Sequence, residues 1–296
     1  MHCASAAGRR RPGTGRGHAV IRASLAALWI YPVKSCRGIE LSQATVGVTG
    51  FAHDREWMIV DGNGRFVTQR EYPQMARIAT ALGPDFLVLA GDGFGEVRTA
   101  LAPPDGDRIA VRCWRFETRA VDCGPAIGAW LSDFLGTPAR LVRFPPDTQR
   151  LCNPQWAGTS GAHTLFSDGY PFLVLSEESV ADLAQRMGLA GRLPIDRFRP
   201  NIVLRGLSAY EEDYVDTLEV DGVRLKLVKP CTRCTIPEVD QATGAVSPLS
   251  PLQTLQQYRM DTTVGGATLG INAILETGSG APLRAGGYLQ VVHRFD

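Results

Sequence analysis

Apolar residues along this chain recur mostly at the spacing of strands. From about Leu25 to Val121 the segments are short and β-rich. ALWIYPV is one apolar run. EWMIVDGNGRFVTQ predicts two strands joined as a hairpin about Asp61-Gly62-Asn63-Gly64. DFLVLAG and RIAVRCW predict further strands. CGPAIGAWLSDFLG breaks the pattern: Ile127, Trp130, Leu131, Phe134 and Leu135 share one helical face, Pro125 suits the first turn and Gly136 the stop.

A polar, proline-rich stretch, FPPDTQRLCNPQWAGTSGAHT, then separates two halves. After it PFLVL predicts a buried strand. Ser176 caps a helix with Glu177 and Glu178 in its first turn and Val180, Leu183, Ala184 and Met187 on one face, stopped by Gly188. FRPNIVLRG is a strand, and the alternation of Leu218, Val220, Val223, Leu225 and Leu227 predicts a hairpin about Asp221-Gly222. SPLQTLQQYR predicts a helix from Pro251. LGINAILET and YLQVVHRF close the chain as strands. Many strands, few helices and no βαβ alternation predict a β-rich α+β fold and not a doubly wound sheet. The expected organisation is a disordered tail over 1–24, one unit over 25–145 and a second over 146–296.

Composition narrows the function. The 296 residues carry a net charge of +1, which gives no general attraction to nucleic acid or anionic membranes. No window of 18 apolar residues exists, so no membrane-spanning helix is expected. Residues 1–24 hold Arg9, Arg10, Arg11, Arg16 and Arg22 and no acid; setting those five aside leaves 26 basic against 30 acidic residues. Seven scattered cysteines, an odd number, are not a secreted disulfide framework. A reducing compartment, the cytoplasm, is the expectation.

The chemistry concentrates in KPCTRCTIPEVDQATG, residues 229–244. A structural zinc site needs a second cysteine pair or paired histidines, and none is spaced for it. A thioredoxin-type dithiol opens a helix, which Pro237 and the β-branched residues oppose. Two packed cysteines remain open as a reading. So does a single thiolate favoured by Arg233, suited to a soft redox metal. Four further pieces carry polar groups: Lys34 and Ser35 in YPVKSCRG, Arg55 in HDREW, Arg199 in FRPN, and the glycine turn SDGYP. Each alone fits a surface cation or an ordinary turn. Together they suggest one anionic ligand gripped by arginine forks, carrying a soft-ligated metal.

These motifs, in this order, resemble the MOSC (molybdenum cofactor sulfurase C-terminal) proteins that carry an N-terminal MOSC β-barrel domain. The family includes the mitochondrial amidoxime-reducing components and bacterial reductases of N-hydroxylated compounds. The resemblance runs from about Leu25 to the C-terminus, and implies a MOSC-type β-barrel-like unit followed by a MOSC β-barrel domain. It implies the molybdenum cofactor, Mo-molybdopterin, with Cys234 as metal ligand and Cys231 as a packed neighbour. Lys34, Ser35, Arg55, Gly169, Tyr170, Arg199, Asn201, Thr232, Arg233 and Asn272 are the implied cofactor contacts, and Asp168 is a proton-relay candidate. The implied activity is reduction of amidoximes, hydroxylamines or N-hydroxylated bases. The alternative is a cofactor carrier or sulfur-handling protein without turnover, and the family also has an association with pyridoxal phosphate. Neither the membrane anchor, nor the C-terminal ferredoxin module, nor the aminotransferase-like domain found in some relatives is recognisable. Electrons are therefore expected from a separate protein: ferredoxin-like, a flavoprotein, or cytochrome b5-like.

Overall fold

The computed structural model describes residues 21–102 and 106–294. The strands that matter here are, in chain order, β1 (Ile21–Ile30), β2 (Trp57–Asp61), β3 (Arg108–Cys113), β4 (Phe116–Asp122), β5 (Ala139–Arg143), β6 (Phe172–Ser176), β7 (Ile202–Arg205), β8 (Val215–Val220), β9 (Val223–Thr232), β10 (Gly266–Thr277) and β11 (Tyr288–His293). The three α-helices of eight residues or more among the described residues are α1 (Pro125–Leu135), α2 (Glu177–Arg186) and α3 (Pro251–Tyr258).

Seven strands form a closed barrel in the order β6-β7-β1-β11-β8-β9-β10. The ring closes where β6 meets β10, Phe172 opposite Ala273 and Val174 opposite Ile271. Closure satisfies both edges of the sheet at once. Inward positions from every strand build one core, among them Leu25, Val174, Leu204, Leu218, Leu227, Ile271 and Val291. β8 and β9 meet at Asp221 (φ 49°) and Gly222 (φ 80°), the left-handed pair that a tight hairpin needs.

A second body is a four-stranded sheet, β2-β5-β4-β3, with α1 packed on one face beside a three-stranded meander over 79–100. Pro125 opens α1 and Gly136 ends it in the left-handed region, so this helix forms as its sequence predicts. Ser176 likewise caps α2 by accepting from the Ser179 N–H.

Several expectations are corrected. Strand β1 begins at Ile21, so residues 21–24 pair with β11 and are not tail; residues 1–20 lie outside the described residues. The barrel core takes residues from both sides of residue 145, since β1 and the Ala44, Val46 and Phe51 side chains join its cluster. The hairpin about residues 61–64 has only an abbreviated second arm, bridging at Arg65 and Phe66 before the chain leaves as a loop. The run RIAVRCW stops at Cys113, and Trp114 belongs to the turn between β3 and β4. One βαβ unit does occur: β6, α2 and β7, with β6 and β7 parallel.

Candidate functional site

A cleft of about 830 Å³, counting its part open to solvent, lies where the barrel end meets the loops of the second body. The barrel supplies the end of β9, the turn before β6 and the loop before β7. The second body supplies the loops after β1, before β2 and after the bridge at Phe66. All twelve residues expected from the sequence line it: Lys34, Ser35, Arg55, Asp168, Gly169, Tyr170, Arg199, Asn201, Thr232, Arg233, Cys234 and Asn272.

Backbone pairing fixes the loops. Lys34 N–H donates to the Trp57 carbonyl at 2.8 Å, and Trp57 N–H to the Pro32 carbonyl at 3.0 Å. Arg55 N–H donates to Tyr31 at 2.9 Å, while the Asp54 carboxylate accepts from the Tyr31 N–H at 2.8 Å and from Arg55 Nη1 at 2.6 and 2.8 Å. Four non-glycine residues of the cleft are in the left-handed region: Ser35, Arg55, Trp114 and Arg199. Such conformations cost energy and persist only where the surroundings enforce them, commonly at ligand sites.

The cleft is strongly cationic. Lys34, Arg55, Arg70, Arg197, Arg199 and Arg233 line it against one acid, Asp168. The guanidinium carbons of Arg55 and Arg199 lie 4.3 and 4.2 Å from the Tyr31 ring centroid. Burial and the Arg55 charge push the Arg199 guanidinium below its ordinary pKa. Arg199 Nη1 donates to the Cys36 carbonyl at 2.8 Å, but its buried Nη2 has no partner among the described residues. Arg233 repeats this arrangement: Nε donates to Leu269 at 2.9 Å, Nη1 to Phe198 at 3.0 Å, and Nη2 is buried and unpartnered. Among the described residues the buried hydroxyls of Ser167 and Tyr170 also have no partner. Buried donors are normally satisfied, so this concentration in one cleft points to an oxygen-rich ligand.

Lys34 Nζ donates to Asp168 Oδ1 at 2.5 Å and to the Phe166 carbonyl at 3.0 Å. Against the desolvation that would raise it, the Lys34 charge and bonds from Lys34 and Trp114 hold the Asp168 carboxyl below the usual range. This pairing positions the Lys34 ammonium at the cleft wall. Asn201 is also engaged within the chain: Oδ1 accepts from Leu173 N–H at 3.2 Å and Nδ2 donates to Trp29 at 3.1 Å. Its side chain ties β1 to β6 under the Arg199 loop. Asn272 Nδ2 donates to Lys229 at 3.0 Å. A Cβ added at Gly169 meets no atom within 4 Å.

The two cysteines of CTRC differ in position. β9 pairs with β10 through three irregularities, the last between Pro230 and Thr232. Bulges of this kind re-aim side chains next to functional sites. Cys231 lies within β9, where burial pushes its thiol up, opposed by the Arg233 charge. Cys234 lies beyond the strand end, with Arg70 Nη1 3.9 Å from its Sγ. Both are free thiols. Among the described residues no three His, Cys, Asp or Glu side chains gather as a metal cage. A metal held here brings most of its ligands with it.

Arg70, Trp114 and Arg197 were not anticipated. Arg70 and Arg197 carry no local signal. Trp114 does: Trp-Arg occupies a two-residue hairpin turn at φ 59°, where Asn-Gly is the ordinary choice.

Comparison with known proteins agrees with this architecture. Residues 22–138 match the MOSC N-terminal beta barrel domain and residues 162–289 the MOSC domain. Mitochondrial amidoxime-reducing component 1 of Homo sapiens is 36% identical over 244 residues, 80% of this chain and 72% of that protein. Mitochondrial amidoxime reducing component 2 of Bos taurus is 33% identical over 260 residues, 85% of this chain and 76% of that protein. Molybdenum cofactor sulfurase of Homo sapiens is 28% identical over 237 residues, 73% of this chain but 26% of that longer protein. The chain therefore belongs to the MOSC family, in the form that joins the N-terminal beta barrel domain to the MOSC domain.

Proposed function

We propose that this chain is a molybdenum-cofactor-dependent reductase of N-hydroxylated compounds, fed by a separate electron-transfer protein. The observation that carries the reading is that Arg199 and Arg233, each with a buried nitrogen unpartnered among the described residues, line one cleft with Cys234. A pterin phosphate offers acceptor oxygens and ring nitrogens to such donors, and a thiolate suits molybdenum. The donor set therefore fits the cofactor.

In this reading Arg55, Arg199 and Arg233 grip the anionic and heterocyclic parts, with Lys34 adding charge and Ser35 and Thr232 adding hydroxyls. The open face at Gly169 leaves space for the ligand, and Tyr170 and Asn272 border it. Cys234 is the metal ligand, and Cys231 stays a packed neighbour. Asn201 frames the Arg199 loop, and Asp168 holds Lys34 in place. When bound, the cofactor supplies the two-electron redox chemistry that removes an N-hydroxyl oxygen as water. The protein supplies binding, orientation and charge.

Reconstitution tests this. Protein made with cofactor supply is expected to hold about one molybdenum per chain. Cys234→Ala is expected to abolish reduction of a hydroxylamine by a chemical donor while the chain stays folded. Zinc without molybdenum in the wild type would sink the proposal. Tightly held cofactor with no reduction by any donor would instead favour a carrier or sulfur-handling role, to which the sulfurase relative gives some weight.

A further inference from the structure

A second groove opens from the mouth of the cleft and shares Arg70, Trp114 and Asp168 with it. Its walls carry Arg65, Arg70, Arg112, Arg115 and Arg150. Arg65 pairs with Glu71, and Arg150 is spent on the Leu165 and Ser167 carbonyls. Arg112 and Arg115 are exposed and have no side-chain partner among the described residues. The one acid in the groove, Asp168, is already paired to Lys34. In a chain of net charge +1 this is a local excess.

Two large apolar side chains stand in the same surface, Trp114 at 44% and Leu151 at 66% exposure. Trp114 is held there: Nε1 donates to Asp168 Oδ1 at 3.0 Å, and the Arg70 guanidinium lies 5.0 Å from its ring. A fixed, exposed tryptophan among arginines has the composition of a protein-binding hot spot. The groove is broad and open, which suits a protein surface better than a small metabolite.

We propose that this groove is the docking face for an acidic one-electron carrier protein, with Arg112 and Arg115 meeting its acidic patch and Trp114 at the contact's centre. The proposal rests on the reductase reading. Reducing one N-hydroxyl group to an amine and water takes two electrons and two protons. Two reduced carriers are therefore oxidised per turnover, and water supplies the protons. Arg70 contacts both Trp114 in the groove and the Cys234 sulfur in the cleft, so a carrier seated here is one side chain from the reacting end of the site. Opposite charge also steers a transient partner to the right face.

The probe is a soluble acidic [2Fe–2S] ferredoxin, titrated calorimetrically into the cofactor-loaded full chain at low and high ionic strength. The wild type is expected to bind at low salt and to weaken at least about tenfold at high salt. R112E/R115E is expected to weaken low-salt binding by at least about tenfold, with R112Q/R115Q falling between, at an unchanged thermal midpoint. Turnover driven by reduced ferredoxin falls in parallel, while turnover driven by a viologen radical, a small cation, stays within about twofold. Equal ferredoxin affinity in wild type and double variant overturns the proposal, as does absence of binding at low salt. A matching loss of viologen-driven turnover also overturns it, by giving the groove to substrate. A wild type inactive with viologen sinks the reductase reading instead, and binding that depends on Arg112 and Arg115 would still support the docking face.

Discussion

Beside helix α2 the Glu212 carboxylate is wholly buried, and both of its oxygens are hydrogen-bonded. It accepts from Ser176 N–H at 3.2 Å, Ser176 Oγ at 3.0 Å and Ser179 Oγ at 2.9 Å. The cleft leaves two buried donor atoms open among the described residues, Arg199 Nη2 and Arg233 Nη2. An unmet buried donor costs roughly 1–3 kcal/mol. A closed network strengthens the fold; an open one weakens it until a ligand supplies acceptors. The difference separates a polar group kept for folding from polar groups kept for binding.

Arg199→Leu tests the open side and carries the largest expected effect. Losing a desolvated, charge-assisted donor is expected to weaken cofactor retention by about 3 kcal/mol or more, over a hundredfold. The stability of the cofactor-free chain should fall by only about 1 kcal/mol, because the variant loses the bond to the Cys36 carbonyl while the other guanidinium nitrogen, Nη2, is unpartnered already. Molybdenum per chain after gel filtration and the urea midpoint of the cofactor-free protein report the two halves. A large fall in that midpoint would place Arg199 with the structural networks.

Glu212→Ala tests the closed side. It is expected to cost about 2–3 kcal/mol of stability by stranding the two serines, without changing molybdenum content. The pH dependence gives a second reading. Burial raises the folded pKa of Glu212, opposed by its bond from Ser179. The stability contributed by its protonation is therefore full below the unfolded value of 4.5 and is lost as pH rises through the folded value. Glu56 has the opposite sign. Despite desolvation, bonds and charge from His53 and Arg143 lower its pKa, so its contribution is present above 4.5 and lost as pH falls. Midpoints of Glu212→Gln and Glu56→Gln followed from acid to neutral pH should depart from the wild type in opposite directions.

How much of this was legible depended on sequence distance. Helix α1, the α2 cap at Ser176 and the Asp221-Gly222 turn each rest on a few adjacent residues, and all three form as read. Closure of the barrel joins Val174 to Ile271 and brings Ser24 opposite Arg205, pairings that no local pattern encodes. The barrel core draws on both sides of residue 145 for that reason. The cleft was half legible. Its motif residues converge, but Arg70 arrives on a loop whose path depends on the buried Gln69, which donates to the Ser35 carbonyl at 2.8 Å and to Gln241 at 3.0 Å. Asn201 sits inside a motif and reads as a contact, yet its amide serves the backbone.

The smallest expected effect concerns the segment after CTRC, where local and ligand-facing roles meet in one carboxylate. Asp240 Oδ1 accepts from Ala242 N–H at 3.1 Å and from the Thr243 N–H and hydroxyl at 2.9 Å, closing the turn that Gly244 completes at φ 72°. Oδ2 accepts from Arg197 Nη2 at 2.8 Å, and Arg197 lines the cleft. Asp240→Asn keeps an oxygen for the turn and removes the charge that faces Arg197. A loss of about 0.5–1 kcal/mol is expected from a partly exposed ion pair. Cofactor retention should stay the same or improve slightly, since Arg197 is freed toward the anion. A fall in molybdenum content as deep as that of Arg199→Leu would show that the Asp240 carboxylate holds Arg197 in its binding position. The aspartate of this motif would then belong with the open network and not with the closed one.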